Sequence, residues 1–590
     1  MKKIILTLAF ALSGLTSAFA VKAYPGSTTI TQSDGTQLTV YLHGDEHFSW
    51  HTTADGALIV PVGSNYYIAQ VEADGSLKAT PQLAHNGELR GEIEKQAINL
   101  QDKDEFYQAK NTIIARSLNI GLSNTATYFP HTGTPKALVL LVQFPDCKFK
   151  TNDPKTVFNY YLNAKEGEAA PAALTNYYGG TNIGSVAQYF TEMSKGQFTP
   201  IFDVQSPVTV SQNHTYYGKN SGNTIDAHYK EMVKEACELA KSQLGVKFSD
   251  YDANGDGKAD LVYIIYAGIG ENYGGQDDDL WAKTSFDYIT TIDGIWINAH
   301  GINAELNPTP SSKKGDQICG IGVFCHEFSH TMGLPDMYPY NTAAHIDNQE
   351  PEYWDLMDAG TYLHNGRQPA PYTSWEIDIM GWPSEIENLG KEEKQITLLP
   401  YDESRKAYKI DAEDGQYLIL QNLQQKGWWT GLPYHGLLIY RVDYKKDVVG
   451  VGTSMRMNQT PGSPNFTVLP ADGIVISQYL TDEGIYTPTQ YLVSHYGDPF
   501  PGSENKTELL EANLNNDVKL TNLLYNIKET EDGNVTFDYL RDITNGIDKT
   551  IVDTNKKQKI YSLDGLYLGT DTKNLNKGIY IIGNKKVVIK

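Results

Sequence analysis

The stretch CHEFSHTMGLPDMY, from Cys325 to Tyr338, sets two histidines four residues apart with a glutamate after the first. On a helix, residues i and i+4 stack on one face, so His326 and His330 can offer two imidazoles to one zinc ion. Glu327 then stands beside the metal, where it can take the proton of a water made acidic by zinc, near pKa ~7. Gly333 can adopt positive φ, end the helix and turn the chain back. Asp336 follows three residues later, with Pro335 stiffening the approach, and a carboxylate is a legitimate zinc ligand. A His/His/Asp set leaves a fourth position open for water. A closed structural zinc site would take cysteine-rich ligation, and no such spacing occurs here.

A second constellation suits a harder cation. DANGDGKAD places oxygen ligands at Asp252, Asn254, Asp256 and Asp260, with Lys258 counted among them and Gly257 at the sharp turn. The spacing fits the first nine positions of a calcium loop, but Tyr263 stands where the twelfth-position glutamate belongs. The expectation is a short structural Ca²⁺ loop, with a plain Asp-Gly turn as the bland alternative. GGQDDDLW is acidic too and reads as a solvated loop.

These groups need elements to hold them. PKALVLLVQF and ADLVYIIYAG are continuous apolar runs, the mark of buried strands. Ser185 can cap a helix that turns Val186, Tyr189, Phe190 and Met193 to one side, with Gly196 ending it. A second helix would carry Ile225, Tyr229, Met232, Val233, Ala236 and Leu239 inward. Between Ala23 and about Gln101, alternating residues such as Leu38, Val40 and Leu42 and repeated Asp-Gly turns read as a small β-rich unit. Beyond about Pro383 the texture changes to short strands and turns, and Lys556 to Lys590 reads as a small Lys-rich β unit.

The chain has 590 residues, too long for one ordinary core, and its 40% hydrophobic content is globular. A formal charge of −23 argues against nucleic acid as a partner. Lys2 and Lys3, an apolar run from Ile4 to Leu12 and Ala18-Phe19-Ala20 form a signal peptide over 1–20, so export to the exterior or the cell surface is expected. No later apolar stretch approaches the ~20 residues of a transmembrane helix. Four cysteines, Cys147, Cys237, Cys319 and Cys325, allow one or two bridges in an oxidising compartment.

HEFSHTMGLPD followed by WDLMDAG resembles the immune inhibitor A family of secreted, metzincin-type zinc metallopeptidases, whose pattern is HExxHxxGxxD with aspartate as third zinc ligand. SVAQYFTEMSKGQF and YLILQNLQQKGWWTGLPYHGLLIYRVD resemble the family's early helix and downstream β region. The resemblance implies that Met357 is the methionine of the Met-turn beneath the metal, with Tyr362 just past it a candidate oxyanion stabiliser. It also implies an α/β metzincin-like peptidase domain with a mostly parallel sheet and an active-site helix, flanked by β-rich N- and C-terminal domains. DGTQLTVYLHGDEHFSWHTTADG resembles the propeptides of bacterial relatives. The last stretch resembles the sorting domain of type IX secretion substrates, which implies recognition of the C-terminus by secretion machinery.

The expected organisation is therefore a signal peptide (1–20), a propeptide-like β domain (21–116), a zinc peptidase domain (117–385), a β-rich domain (386–540) and a sorting-like β unit (541–590). Residues 21–116 hold no cysteine, which excludes a cysteine switch. His43, Asp45, Glu46, His47 and His51 are then the side chains able to cover the zinc. The expected function is hydrolysis of protein or peptide substrates, with catalytic Zn²⁺ and structural Ca²⁺. The alternative is a surface adhesin or glycan-binding protein, to which Trp428 and Trp429 would contribute, with incidental peptidase activity; the intact Glu327 speaks against it.

Overall fold

The computed structural model describes residues 18–19, 21–45, 48–118, 128–177, 181–221, 224–309, 312–341, 343–344, 350–444, 457–474, 488–540, 559–563, 566–570, 575–582 and 585–589. At its centre is an eight-stranded mixed sheet. Lys136–Gln143 and Val262–Ile269 lie side by side in parallel, and His300–Thr309 continues the parallel run on the far side of Val262–Ile269. The short strand Lys283–Ser285 then pairs antiparallel with His300–Thr309.

Alternation along the central strands sends successive side chains to opposite faces. Val139, Leu141, Tyr263 and Ile265 face a core shared with the helices Pro154–Asn163, Val186–Met193 and Ile321–Thr331. Leu138, Leu140, Val142, Ile264 and Tyr266 face the other core, closed by the helix Tyr229–Leu244. Both faces are covered, which is why these strands read as unbroken apolar runs rather than alternating ones.

The helix Val186–Met193 begins as its sequence suggests. Ser185 accepts from the Gln188 amide while the Gln188 side chain accepts from the Ser185 amide, a reciprocal cap worth about 1 kcal/mol. The helix Tyr229–Leu244 differs in detail from expectation. Ile225 precedes it and packs with Ala23, Leu42 and Trp281, and Leu239 is only half-buried. Cys237 and Ala240 complete the buried face instead.

The N-terminal unit is a six-stranded antiparallel sheet running from Ser27–Thr31 to Leu77–Leu83 in sequence order. Two helices follow, Glu92–Asn99 and Lys103–Leu118, and Arg116, the last residue of the expected propeptide-like unit, lies in the second. Downstream, a five-stranded and a four-stranded sheet enclose a core that includes Leu418, Leu420, Leu437, Ile439, Leu524 and Phe537. Trp429 is buried instead in the core that holds Val139, Tyr189 and Tyr263, and Trp428 packs edge-on against Tyr189 and closely against Gly184. That pair holds the downstream unit to the helix Val186–Met193 and its neighbours and offers no open aromatic platform. Residues 560–589 contribute a separate four-stranded sheet, and residues 541–558 fall outside the described set. The four cysteines are free thiols. Among the described residues no helix is long and apolar enough to cross a membrane.

Candidate metal centre and its cleft

Every residue of the helix Ile321–Thr331 is buried, polar ones included. It can sit so deep because Gly322 meets the loop that carries Tyr362: a Cβ there would lie 1.9 Å from the Thr361 carbonyl oxygen. At its other end Gly333 takes φ 101°, a region that favours glycine, and the reversal brings Asp336 back over the helix.

His326, His330 and Asp336 converge. Asp336 Oδ1 lies 3.1 Å from His326 Nε2 and 3.2 Å from His330 Nε2, and the two Nε2 atoms are 3.1 Å apart. Each imidazole Nδ1 faces a main-chain carbonyl, Leu356 O at 2.9 Å and Leu334 O at 2.8 Å. With the ring proton donated there, each Nε2 turns a lone pair inward. The inward Asp336 Oδ1 is buried without a hydrogen bond, while Oδ2 accepts from Tyr340 Oη at 2.5 Å. Three lone pairs aimed at one another repel unless a cation lies among them. Ligands about 2.0–2.2 Å from a tetrahedral zinc ion stand roughly 3.3 Å apart, so the donor set and spacing fit zinc. Burial works against the Asp336 carboxylate, yet His330 and His326 hold it well below the usual range. Burial lowers His326; at His330 burial is outweighed by Asp336, and the net shift is upward.

Glu327 lies one residue along, buried and pushed up to about 8 by that burial. Thr284, on the edge strand Lys283–Ser285, places its hydroxyl 2.9 Å from Glu327 Oε2 and 2.8 Å from the Glu327 carbonyl. The motif could not reveal this partner, because a lone threonine 43 residues upstream carries no signal of its own. Met357 is fully buried behind the ligands, and its carbonyl accepts from the Met337 amide at 2.9 Å.

The cleft above these groups holds the chain's own leading segment. Ala18–Phe19 pairs antiparallel with Thr284 and Ser285 on the outer side of the edge strand. The Val21 amide donates to Glu327 Oε1 at 2.9 Å. Trp281 Nε1 donates to the Val21 carbonyl at 2.8 Å, and Tyr362 Oη donates to the Lys22 carbonyl at 2.7 Å. The Tyr24 amide donates to the Asn272 carbonyl at 2.8 Å, and the Tyr24 ring meets Tyr362 edge-on.

Of the five candidates for covering the metal, the three among the described residues, His43, Asp45 and His51, have other partners. His43 Nε2 is 2.7 Å from Thr52 Oγ1 and its ring stacks on Trp50. His51 faces Asp277 at 3.9 Å, and Asp45 accepts from the Phe48 amide at 3.3 Å. Glu46 and His47 fall outside the described residues. The GGQDDDLW loop is in part an interface: Asp277 faces His51, and Asp279 lies 3.1 Å from His214.

In the Asp252–Asp260 loop the oxygens hold the loop's own amides. Asp252 accepts from Asp256 and Gly257, each at 3.0 Å, Asn254 from Asp256 at 2.9 Å, Asp256 from Lys258 at 3.0 Å, and Asp260 from Ala253 at 2.9 Å. Among the described residues, the side chains that converge within 4.8 Å as metal-ligating groups are His326, His330 and Asp336, and Glu350, Glu352 and Asp358. Asp252, Asp256 and Asp260 do not form such a group.

Comparison with known proteins agrees with the geometry. The chain is 26% identical over 276 residues to the pre-pro-metalloprotease PrtV of Vibrio cholerae serotype O1, covering 41% of this chain and 29% of that protein. It is 29% identical over 258 residues to immune inhibitor A of Bacillus thuringiensis subsp. alesti, covering 38% of this chain and 36% of that protein. His326, Glu327, His330, Asp336 and Met357 all fall inside residues 124–381, the segment that matches the immune inhibitor A peptidase M6 catalytic domain.

Proposed function

We propose that this chain is the precursor of a secreted zinc metalloendopeptidase that hydrolyses peptide bonds in proteins, with His326, His330 and Asp336 as zinc ligands and Glu327 as general base. The observation that carries the reading is the extended segment from Val21 already lying in the cleft, with its main-chain nitrogen on Glu327 and the carbonyls of Val21 and Lys22 held by Trp281 and Tyr362. The names of the two relatives, a metalloprotease and an immune inhibitor A, support it.

When bound, zinc supplies a Lewis acid that polarises a peptide carbonyl and lowers the pKa of water. The protein's own groups do the rest. Lys283–Ser285 extends the substrate by strand pairing, so the bond to be cut is presented in one register. Glu327, oriented by Thr284, takes the proton of the attacking water and passes it to the leaving nitrogen; Val21 N marks where that nitrogen sits. Trp281 and Tyr362 grip the successive carbonyls of Val21 and Lys22 on the leaving-group side of the cut, so in this register Tyr362 holds the substrate main chain rather than the oxyanion.

Residues 21–24 fill the cleft, so the precursor is latent, and the propeptide-like unit 21–116 must leave before a substrate can enter. Export by the signal peptide 1–20, a metzincin-type fold, structural Ca²⁺ at Asp252–Asp260 and a sorting role for 541–590 belong to the same proposal.

Dialysis of the processed protein against a chelator should abolish cleavage of a casein-type substrate, and about one equivalent of zinc should restore it. Cleavage that survives complete metal removal would contradict the proposal.

A further inference from the structure

Outside the metal centre, one group of chemistry-bearing side chains lies along the same cleft. Glu350, Glu352 and Asp358 are buried and converge on a single point. The Lys22 ammonium occupies it, 3.3 Å from Glu350 Oε2, 3.3 Å from Glu352 Oε2 and 2.6 Å from Asp358 Oδ1. Three carboxylates match the three donors of an ammonium. Glu352 Oε1 is buried too, without a hydrogen-bond partner, which leaves an acceptor for a larger cationic group. Glu352 also holds φ 55°, an uncommon backbone state for a non-glycine, and its amide donates to Asp358 Oδ2 at 2.8 Å.

The wall is built from both sides. The Glu350 carbonyl accepts from Thr467 Oγ1, and Trp354 Nε1 donates to Asp498, so the downstream β unit braces the pocket. Even with the Lys22 ammonium pulling them down, the acids are crowded: burial, then Glu350, pushes Glu352 well above the carboxylate range, and burial pushes Asp358 up to about 7. So costly an arrangement, opening on a peptide cleft, suits a recurring cationic guest.

We propose that Glu350, Glu352 and Asp358 form a substrate subsite that selects a lysine or arginine side chain, which Lys22 occupies in the precursor. This rests on the peptidase reading above. Because Val21 N stands in the place of the leaving nitrogen, Lys22 marks the second residue on the leaving-group side of the cut. A neutral side chain there leaves buried carboxylates unpaired, and a pocket built for polar partners discriminates strongly against analogues that lack them.

The test uses the full chain after its own processing, zinc-loaded, on a peptide library with cut sites read by mass spectrometry. The expected result is lysine or arginine at the second residue after the cut, with kcat/KM for a lysine peptide exceeding its methionine twin by on the order of 100-fold. Glu352→Gln and Glu350→Gln should bring that ratio down to a few-fold while cleavage continues. As a reading independent of those variants, the hexapeptide VKAYPG, which copies residues 21–26, should inhibit the parent enzyme far better than VMAYPG. Cleavage with less than about tenfold preference, and equal inhibition by the two hexapeptides, would overturn the subsite and leave the peptidase intact. Calcium bound by the parent and lost in Glu352→Gln, with no preference for basic residues, would overturn it in favour of a cation site. A zinc-loaded protein that cuts no library peptide would overturn the peptidase reading and the subsite with it.

Discussion

At the scale of single residues, the chemistry depends on groups whose freedom has been removed. His326 and His330 are fixed by carbonyls behind them and Asp336 by Tyr340, so the three inward atoms have little room to relax apart. Thr284 is the residue outside the motif with the clearest positioning role. Replacing it with valine keeps its shape but removes a hydrogen bond to a carboxylate, worth about 1.5–3 kcal/mol. The expected outcome for Thr284→Val is a fall in kcat of about tenfold or more with zinc content unchanged. Steady-state kinetics beside metal analysis check this, and an unaltered kcat would remove Thr284 from the account. The four motif residues were readable because helix spacing and a glycine turn bring them together locally. Thr284 and Lys22 were not. Their partners lie 43 and more than 300 positions away, and only sheet topology and the path of the leading segment join them.

At the scale of elements, the buried strands and the capped helix at Val186–Met193 were legible because burial on both faces and a cap leave compositional marks. The helices Glu92–Asn99 and Lys103–Leu118 were not, since charged sequences of this kind resemble linkers. Two element-level predictions follow different physics. In the N-terminal sheet, His85 sits 2.9 Å from both Asp34 and Glu94. Burial opposes its charge, but the two carboxylates outweigh it and raise the imidazole, while hydrogen bonds from His85 and Thr36 push Asp34 down to about 2. The His85 contribution is complete below about pH 6.5 and lost as pH rises through the raised value. The Asp34 contribution is complete above about pH 4 and lost as pH falls toward 2. Hydrogen exchange in Ser27–Leu83 should therefore be slower at pH 5 than at pH 8.5, beyond the intrinsic pH dependence of exchange; equal protection would show that the cluster contributes nothing. In the Asp252–Asp260 loop, replacing Asp252 and Asp256 with alanine leaves too few oxygens for a hard cation. The parent should then gain thermal stability from calcium and the double variant should not. If both melt alike with calcium and with chelator, the loop is a turn held by its own amides.

At the scale of the whole molecule, the leading segment crosses the catalytic cleft, the N-terminal sheet packs beside it and the downstream β unit braces the acidic pocket. The sequence suggested a β-rich unit ahead of the metal motif and another after it, but not that residues 21–24 themselves would fill the cleft, because extended backbone docking leaves no motif. The intact precursor should cleave a casein-type substrate weakly, and the rate should rise once a cut near Arg116 lets residues 21–116 leave; a fully active uncut chain would contradict latency. The central claim is that His326, His330 and Asp336 hold zinc and Glu327 moves the proton. Zinc per chain, measured beside peptidase rate for the parent, Glu327→Ala and Asp336→Ala, tests it most directly. The account predicts that Glu327→Ala keeps about one zinc and loses roughly 10²–10⁴-fold in rate, whereas Asp336→Ala loses zinc and activity together. Asp336→Ala holding stoichiometric zinc at unchanged affinity, or Glu327→Ala cutting at the parent's rate, would contradict it.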